Sequence, residues 1–115
     1  DEAMGVVGDA NKRIALTFDD GPHPIYTPEI LDILAEYDVK ATFFVVGENV
    51  RKNPELIERE LEEGHEVGNH TYTHPCALAK LSCAKLMDEI SECEDAIFET
   101  VDFRPHLFQT RLLRA

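Results

Sequence analysis

The stretch Arg13-Ile14-Ala15-Leu16-Thr17-Phe18-Asp19-Asp20-Gly21-Pro22 is a short apolar run that stops on two carboxylates and a turn. β-Formers fill residues 13 to 18 and Asp-Asp-Gly-Pro closes them, which predicts a buried strand with polar groups at its carboxyl end. Residues 41 to 46, Ala-Thr-Phe-Phe-Val-Val, are apolar on both faces, as a central parallel strand is, with Gly47 breaking the run. His65 to Asn69 reads as a third short strand, and Leu107-Phe108 as the start of a fourth.

Helical patterns separate these runs. Thr27 is expected to cap a helix with Pro28 at its first position and Glu29 in its first turn. Ile30, Leu31, Leu34 and Tyr37 fit one face of it, and it ends near Asp38. Asn53-Pro54 opens a second helix with Leu56, Ile57 and Leu61 inward and Gly64 as its stop. Ser82 caps a third that runs to about Thr100, with Leu86, Ile90, Cys93 and Ile97 at helical spacing. The order β-α-β-α-β-α-β predicts an α/β fold with a parallel sheet and right-handed crossovers. Residues 1–12 read as an N-terminal linker, 13–108 as the domain, and 109–115 as a tail that is no natural next element.

The chain has 115 residues and a formal net charge of −12, from 23 acidic against 11 basic side chains. That surface, with no basic stripe, disfavours nucleic acid and anionic membranes and leaves neutral polymers or sugars open as partners. No run of about 18 apolar residues would span a membrane, and no signal peptide is read in this chain. Three cysteines, Cys76, Cys83 and Cys93, are an odd number, which argues against a complete disulfide framework. Cys83 and Cys93 read as small buried hydrophobes of the third helix.

The chemistry lies in two motifs. Asp19 and Asp20 follow the first strand; His70 and His74, in His70-Thr71-Tyr72-Thr73-His74-Pro75, follow the third. Functional groups of parallel α/β folds gather at the carboxyl ends of strands, so both sets emerge at one end of the sheet. Alone, Asp-Asp-Gly-Pro is a solvated turn and His-x-x-x-His a weak metal signal; together they point to a site. Two imidazoles and one carboxylate suit Zn²⁺ or a similar divalent ion and leave positions open for water. A second carboxylate beside them is what general-base activation of that water requires. Adjacent aspartates on an extended segment point to opposite sides, so the two can divide these roles. His23, His65 and His106 lack such partners and read as surface or packing residues, Glu89 to Glu99 as a solvated helix face, and Phe43-Phe44 as core.

At these residues the chain resembles the polysaccharide deacetylase family, the NodB homology domain of carbohydrate esterase family 4. Thr-Phe-Asp-Asp-Gly-Pro matches that family's first motif and His70 to Pro75 its second, His-Ser/Thr-x-x-His-Pro. Ala41-Thr42-Phe43-Phe44 with Gly47, and Gly64 to His70, are also family-like. The resemblance implies a partial (β/α) barrel of about three to four βα units that removes acetyl groups from N-acetylglucosamine polymers such as peptidoglycan or chitin. It implies Asp19 as the general base and Asp20, His70 and His74 as ligands of a divalent metal, Zn²⁺ foremost, with Co²⁺, Ni²⁺ or Mn²⁺ as substitutes. An extracellular or cell-surface location follows from the same likeness.

The likeness covers only the family's N-terminal portion. Family members follow a Leu-Phe with Arg-Pro-Pro-Tyr/Phe-Gly and later carry an Asp-Trp and a Leu-x-His motif, whereas Gln109 to Ala115 follows Leu107-Phe108. An alternative expectation is therefore a truncated, catalytically silent relative that retains metal or sugar binding, or that assembles as a homo-oligomer through an open sheet edge.

Overall fold

A computed structural model describes residues 3–8, 14–75 and 80–102. In chain order the elements are β1 (Ala3–Gly8), β2 (Ile14–Gly21), α1 (Tyr26–Glu36), β3 (Ala41–Val45), α2 (Gly47–Lys52), α3 (Pro54–Glu62), β4 (Glu66–Asn69) and α4 (Cys83–Val101). The sheet order is β1-β2-β3-β4; β3 runs parallel to both β2 and β4. The expected α/β architecture is the observed one, with β3 central as its two apolar faces require.

Two elements differ from the sequence reading. Ala3–Gly8 lies within the expected linker yet forms a strand, antiparallel to β2 from Ala3 opposite Asp19 to Gly8 opposite Ile14. Its ladder with β2, which starts only six residues after β1 ends, specifies it, and the two glycines of Ala-Met-Gly-Val-Val-Gly weaken the strand signal that a local reading looks for. Gly47, expected only as a break, begins the six-residue helix α2, entered from an extended Val46.

The helix starts are built partly by other residues than expected. Thr27 does not cap α1, whose N-cap is Ile25 with no side-chain cap bond of its own. Instead His23 Nδ1 accepts from the amides of Ile25 (3.1 Å) and Tyr26 (3.3 Å), and Thr27 Oγ1 accepts from His23 N (2.8 Å). Tyr37, expected on the inner face, is exposed. Pro54 does open α3 at its first position, and Gly64, with φ +88°, closes the turn that follows it. Ser82 caps α4 as its type predicts, its Oγ accepting from Lys85 N at 3.2 Å.

The core joins the sheet to α1, α2, α3 and α4. Phe18 stacks on Phe43 across β2 and β3, with ring centroids 5.3 Å apart. Leu31 and Leu34, Val50, Ile57, Val67, and Cys93, Ala96 and Ile97 fill the same cluster. Phe44 is only half-buried, and of the two helix cysteines Cys93 is buried while Cys83 is exposed. Cys76, His106, the expected strand at 107–108 and the tail lie outside the described residues.

Candidate metal centre

The carboxyl end of β2 is not a regular strand. Its register against β3 shifts between Asp19 and Gly21, and Asp20 takes a left-handed φ of 72°. A bulge of this kind re-aims one side chain, so it rather than simple alternation separates the two aspartates. Asp19 stays in the ladder opposite Phe44 and is 2% exposed, whereas the Asp20 side chain is 27% exposed. Helix α2 and the chain leading into it hold this exit: Asn49 Nδ2 donates to Asp20 O at 2.8 Å, and Val46 N to Gly21 O at 2.9 Å.

The second half of the centre is the loop after β4, and every backbone N–H from His70 to His74 is hydrogen-bonded. His70 N donates to Val45 O, Thr71 N to Asn69 Oδ1, and His74 N to Thr71 Oγ1. Tyr72 N and Thr73 N both donate to Glu89 Oε1, at 3.0 and 2.9 Å. Carbonyls are used too: Gly47 N donates to Thr71 O and Glu48 N to Tyr72 O, both at 3.0 Å. Such full pairing keeps a loop in one shape. It holds Thr71 and His74 at φ 70° and 56°, a region that a β-branched residue such as Thr71 rarely enters without being constrained.

These two segments bring three donor atoms together. Asp20 Oδ1 lies 3.0 Å from His70 Nε2 and 3.0 Å from His74 Nε2, and the imidazole centroids are 4.8 Å apart. The His70 side chain is 1% exposed and that of His74 22%, so the cluster has a buried wall and an open side. Asp20 Oδ1 and His74 Nε2 are buried atoms with no hydrogen-bond partner among the described residues. Two imidazole nitrogens each 3.0 Å from one carboxylate oxygen form a donor set that could hold a common cation. A carboxylate oxygen and two imidazole nitrogens fit Zn²⁺ with positions left for water or substrate. Beside Asp20 lies a depression of about 340 Å³ lined by His23, Asn49, Lys52 and Asn53 together with Pro22 and Pro24.

His65 and Cys93 do other work. His65 is buried, accepts from Ala41 N through Nδ1 at 3.0 Å and packs edge-on against Phe43. Burial, then the Lys40 charge, lowers its pKa below the ordinary value. Cys93 donates from Sγ to Val45 O at 3.5 Å, and burial pushes its thiol up to about 12. Glu89, expected on a solvated helix face, instead turns inward to the loop. The spacing held a signal for it: Glu89 falls on the i, i+4, i+7 stripe shared with Cys93 and Ala96, where a carboxylate needs a partner.

Residues 7–113 match the profile of the family described as polysaccharide deacetylase. The chain belongs to that family. This polysaccharide deacetylase chain is 50% identical over 95 residues to the peptidoglycan-N-acetylglucosamine deacetylase PgdA of Listeria monocytogenes, covering 83% of this chain and 20% of that protein. It is also 50% identical over 86 residues to a chitooligosaccharide deacetylase of Bradyrhizobium sp., covering 75% of this chain and 39% of the other. Its fold superposes on the structure of peptidoglycan deacetylase PdaC from Bacillus subtilis with a TM-score of 0.81 at 44% identity, covering 84% of this chain and 47% of that one. The polysaccharide deacetylase chain thus spans less than half the length of each of these relatives, and its α/β unit corresponds to part of their (β/α) barrel.

Proposed function

We propose that the protein is a metal-dependent hydrolase that removes N-acetyl groups from N-acetylglucosamine-containing polysaccharide, peptidoglycan or chitin-like. The observation that carries this reading is the convergence of Asp20 Oδ1, His70 Nε2 and His74 Nε2 at the carboxyl ends of β2 and β4. Relatives named as peptidoglycan-N-acetylglucosamine and chitooligosaccharide deacetylases support the substrate class.

Asp20, His70 and His74 would hold the divalent cation, Zn²⁺ first, with Co²⁺, Ni²⁺ or Mn²⁺ able to use the same donors. When bound, such an ion supplies Lewis acidity at an amide carbonyl and makes water acidic enough to lose a proton near neutral pH. Asp19, the carboxylate next along the bulged strand end, takes that proton as general base. Water adds to the acetyl carbon, and as the amide C–N bond breaks the nitrogen takes up a proton, balancing the one given to Asp19, so that acetate and a free amine leave. The depression beside Asp20, which sets the polar groups of His23, Asn49 and Lys52 among the apolar surfaces of Pro22 and Pro24, suits a sugar with its hydroxyls and apolar ring face. Such a substrate puts the protein outside the cell or at its surface; no helix among the described residues is long and apolar enough to cross a membrane. β4 is an outer strand of the described sheet, and pairing of two copies there is the accompanying assembly proposal, read by sedimentation.

The test is acetate release from N-acetylglucosamine oligomers by Zn²⁺-loaded protein, alongside a Zn²⁺ titration. Release that stops with chelator or with Asp19→Asn is the expected result. Zn²⁺ binding without release leaves a metal-binding relative and defeats the hydrolase reading; no Zn²⁺ binding defeats the metal reading.

A further inference from the structure

Helix α4 reaches into the loop that carries both histidines through one carboxylate. We propose that Glu89 is a positioning residue of this site, shaping the His70–His74 loop so that both Nε2 atoms face Asp20; the inference rests on the metal reading above. Its Oε1 accepts from Tyr72 N at 3.0 Å and Thr73 N at 2.9 Å, and its Oε2 accepts from Thr73 Oγ1 at 2.9 Å. All three donors lie between the two histidines in the chain.

The neighbouring position completes the grip. Asn69 Nδ2 donates to Ile90 O at 2.9 Å, so residues 89 and 90 of α4 hold the loop just before His70 and again in the middle of the His-x-x-x-His segment. Opposite them, Gly47 N and Glu48 N of α2 bind the Thr71 and Tyr72 carbonyls. Between these two clamps the backbone passes through left-handed Thr71 and His74, conformations that relax if one clamp is lost. Charge-assisted bonds to backbone N–H groups are the strong kind, and a residue behind a ligand typically governs metal affinity.

The chemistry dictates an order among variants. Two converging N–H groups on one oxygen and a hydroxyl on the other call for a side chain of this length with oxygen toward the amides. Glutamine keeps that oxygen, and its NH₂ can donate to Thr73 Oγ1, which accepts. Aspartate is one methylene too short, and alanine has no acceptor.

The experiment is competition for Zn²⁺ against a chromophoric chelator, using the full chain with Glu89→Ala, Glu89→Asp, Glu89→Gln and, as control, Glu92→Gln at an exposed position of the same helix. Glu89→Ala and Glu89→Asp should weaken Zn²⁺ binding about 10–100-fold, with Glu89→Gln recovering most of the loss and the control unchanged. Thermal midpoints of the metal-free variants separate positioning from general support: a merely structural residue lowers the midpoint and leaves affinity alone. Folded Glu89→Ala that binds Zn²⁺ as the parent does overturns the proposal. If the parent itself binds no Zn²⁺, the metal reading fails, and the positioning role is judged by the His70 and His74 imidazole resonances of the metal-free chain. Glu89→Ala must then move them and Glu92→Gln must not; unmoved resonances overturn it.

Discussion

Replacing Gly47 by alanine asks whether close approach, rather than backbone freedom, requires glycine where α2 begins. Gly47 has no left-handed φ, so alanine can adopt its backbone, and a methyl for hydrogen at a helical position returns about 0.5–1 kcal/mol. Against that gain, the new Cβ would sit 2.5 Å from Tyr72 Cδ1, 3.2 Å from Tyr72 Cε1 and 3.1 Å from Cys93 Cα. The Tyr72 ring can turn, at the expense of its contact with Arg51, whose guanidinium carbon lies 5.9 Å from the ring centroid. The Cys93 Cα cannot retreat as easily, because it belongs to a residue with 0% exposure in the middle of α4. Overpacking costs about 1–3 kcal/mol, and with a backbone Cα as one of the atoms met the upper part of that range, about 2–3 kcal/mol, applies, so the net effect of Gly47→Ala is a loss of about 1–2 kcal/mol. In a domain of this size that lowers the thermal midpoint by roughly 5–10 °C. Calorimetry or circular dichroism on the two proteins measures it. A midpoint equal to or above the parent's would show that α2 and α4 slide apart freely and would refute the close-packing argument.

Two further predictions use the buried titratable groups. With its thiol held up to about 12 by burial, Cys93 should resist alkylation in the folded chain while exposed Cys83 reacts, as mass spectrometry of digested samples would read; equal labelling before unfolding counts against it. His65 is neutral in the fold and its pKa lies below the unfolded value, so its stabilisation is complete above about pH 6.5 and is lost as pH falls from there through the folded pKa. His65→Gln keeps an acceptor for Ala41 N and should flatten the drop in thermal midpoint between neutral pH and about pH 5, whereas an unchanged slope would remove His65 as its source.

How far the fold could be read from the chain depended on the range of the interactions involved. β3 announces itself because its sequence is apolar on both faces, one buried and the other half-buried, and Pro54 and Ser82 mark helix starts through their own covalent chemistry. The Asp20, His70 and His74 cluster was legible because strand ends in a parallel sheet converge, a rule of topology that needs no side-chain detail. What escaped was cooperative. β1 exists through its ladder with β2, and α2 is too short for propensity to reveal it. The start of α1 is capped by an imidazole, a role that sequence reading assigns to Thr27 next along the chain. The bulge at Asp20 was invisible because alternation alone would also have separated the two aspartates.

The left-handed backbone at Asp20 and His74 bears on which replacements evolution or an engineer can try. A position that holds a metal, as proposed above for Asp20 and His74, filters side chains by donor atom, admitting aspartate, glutamate, histidine and cysteine. A left-handed position filters them by backbone, favouring glycine, asparagine, aspartate and histidine. Only aspartate and histidine pass both filters, and these are the residues found there. For Asp20 the two usual meanings of a conservative change therefore part company: Asp20→Glu preserves the charge and violates the backbone, while Asp20→Asn preserves the backbone and gives up the charge. On the proposed metal reading, the sequence space open to this centre is narrower than coordination chemistry alone would allow, and a search for variants with a different metal preference would do better to alter the residues around these positions than the positions themselves.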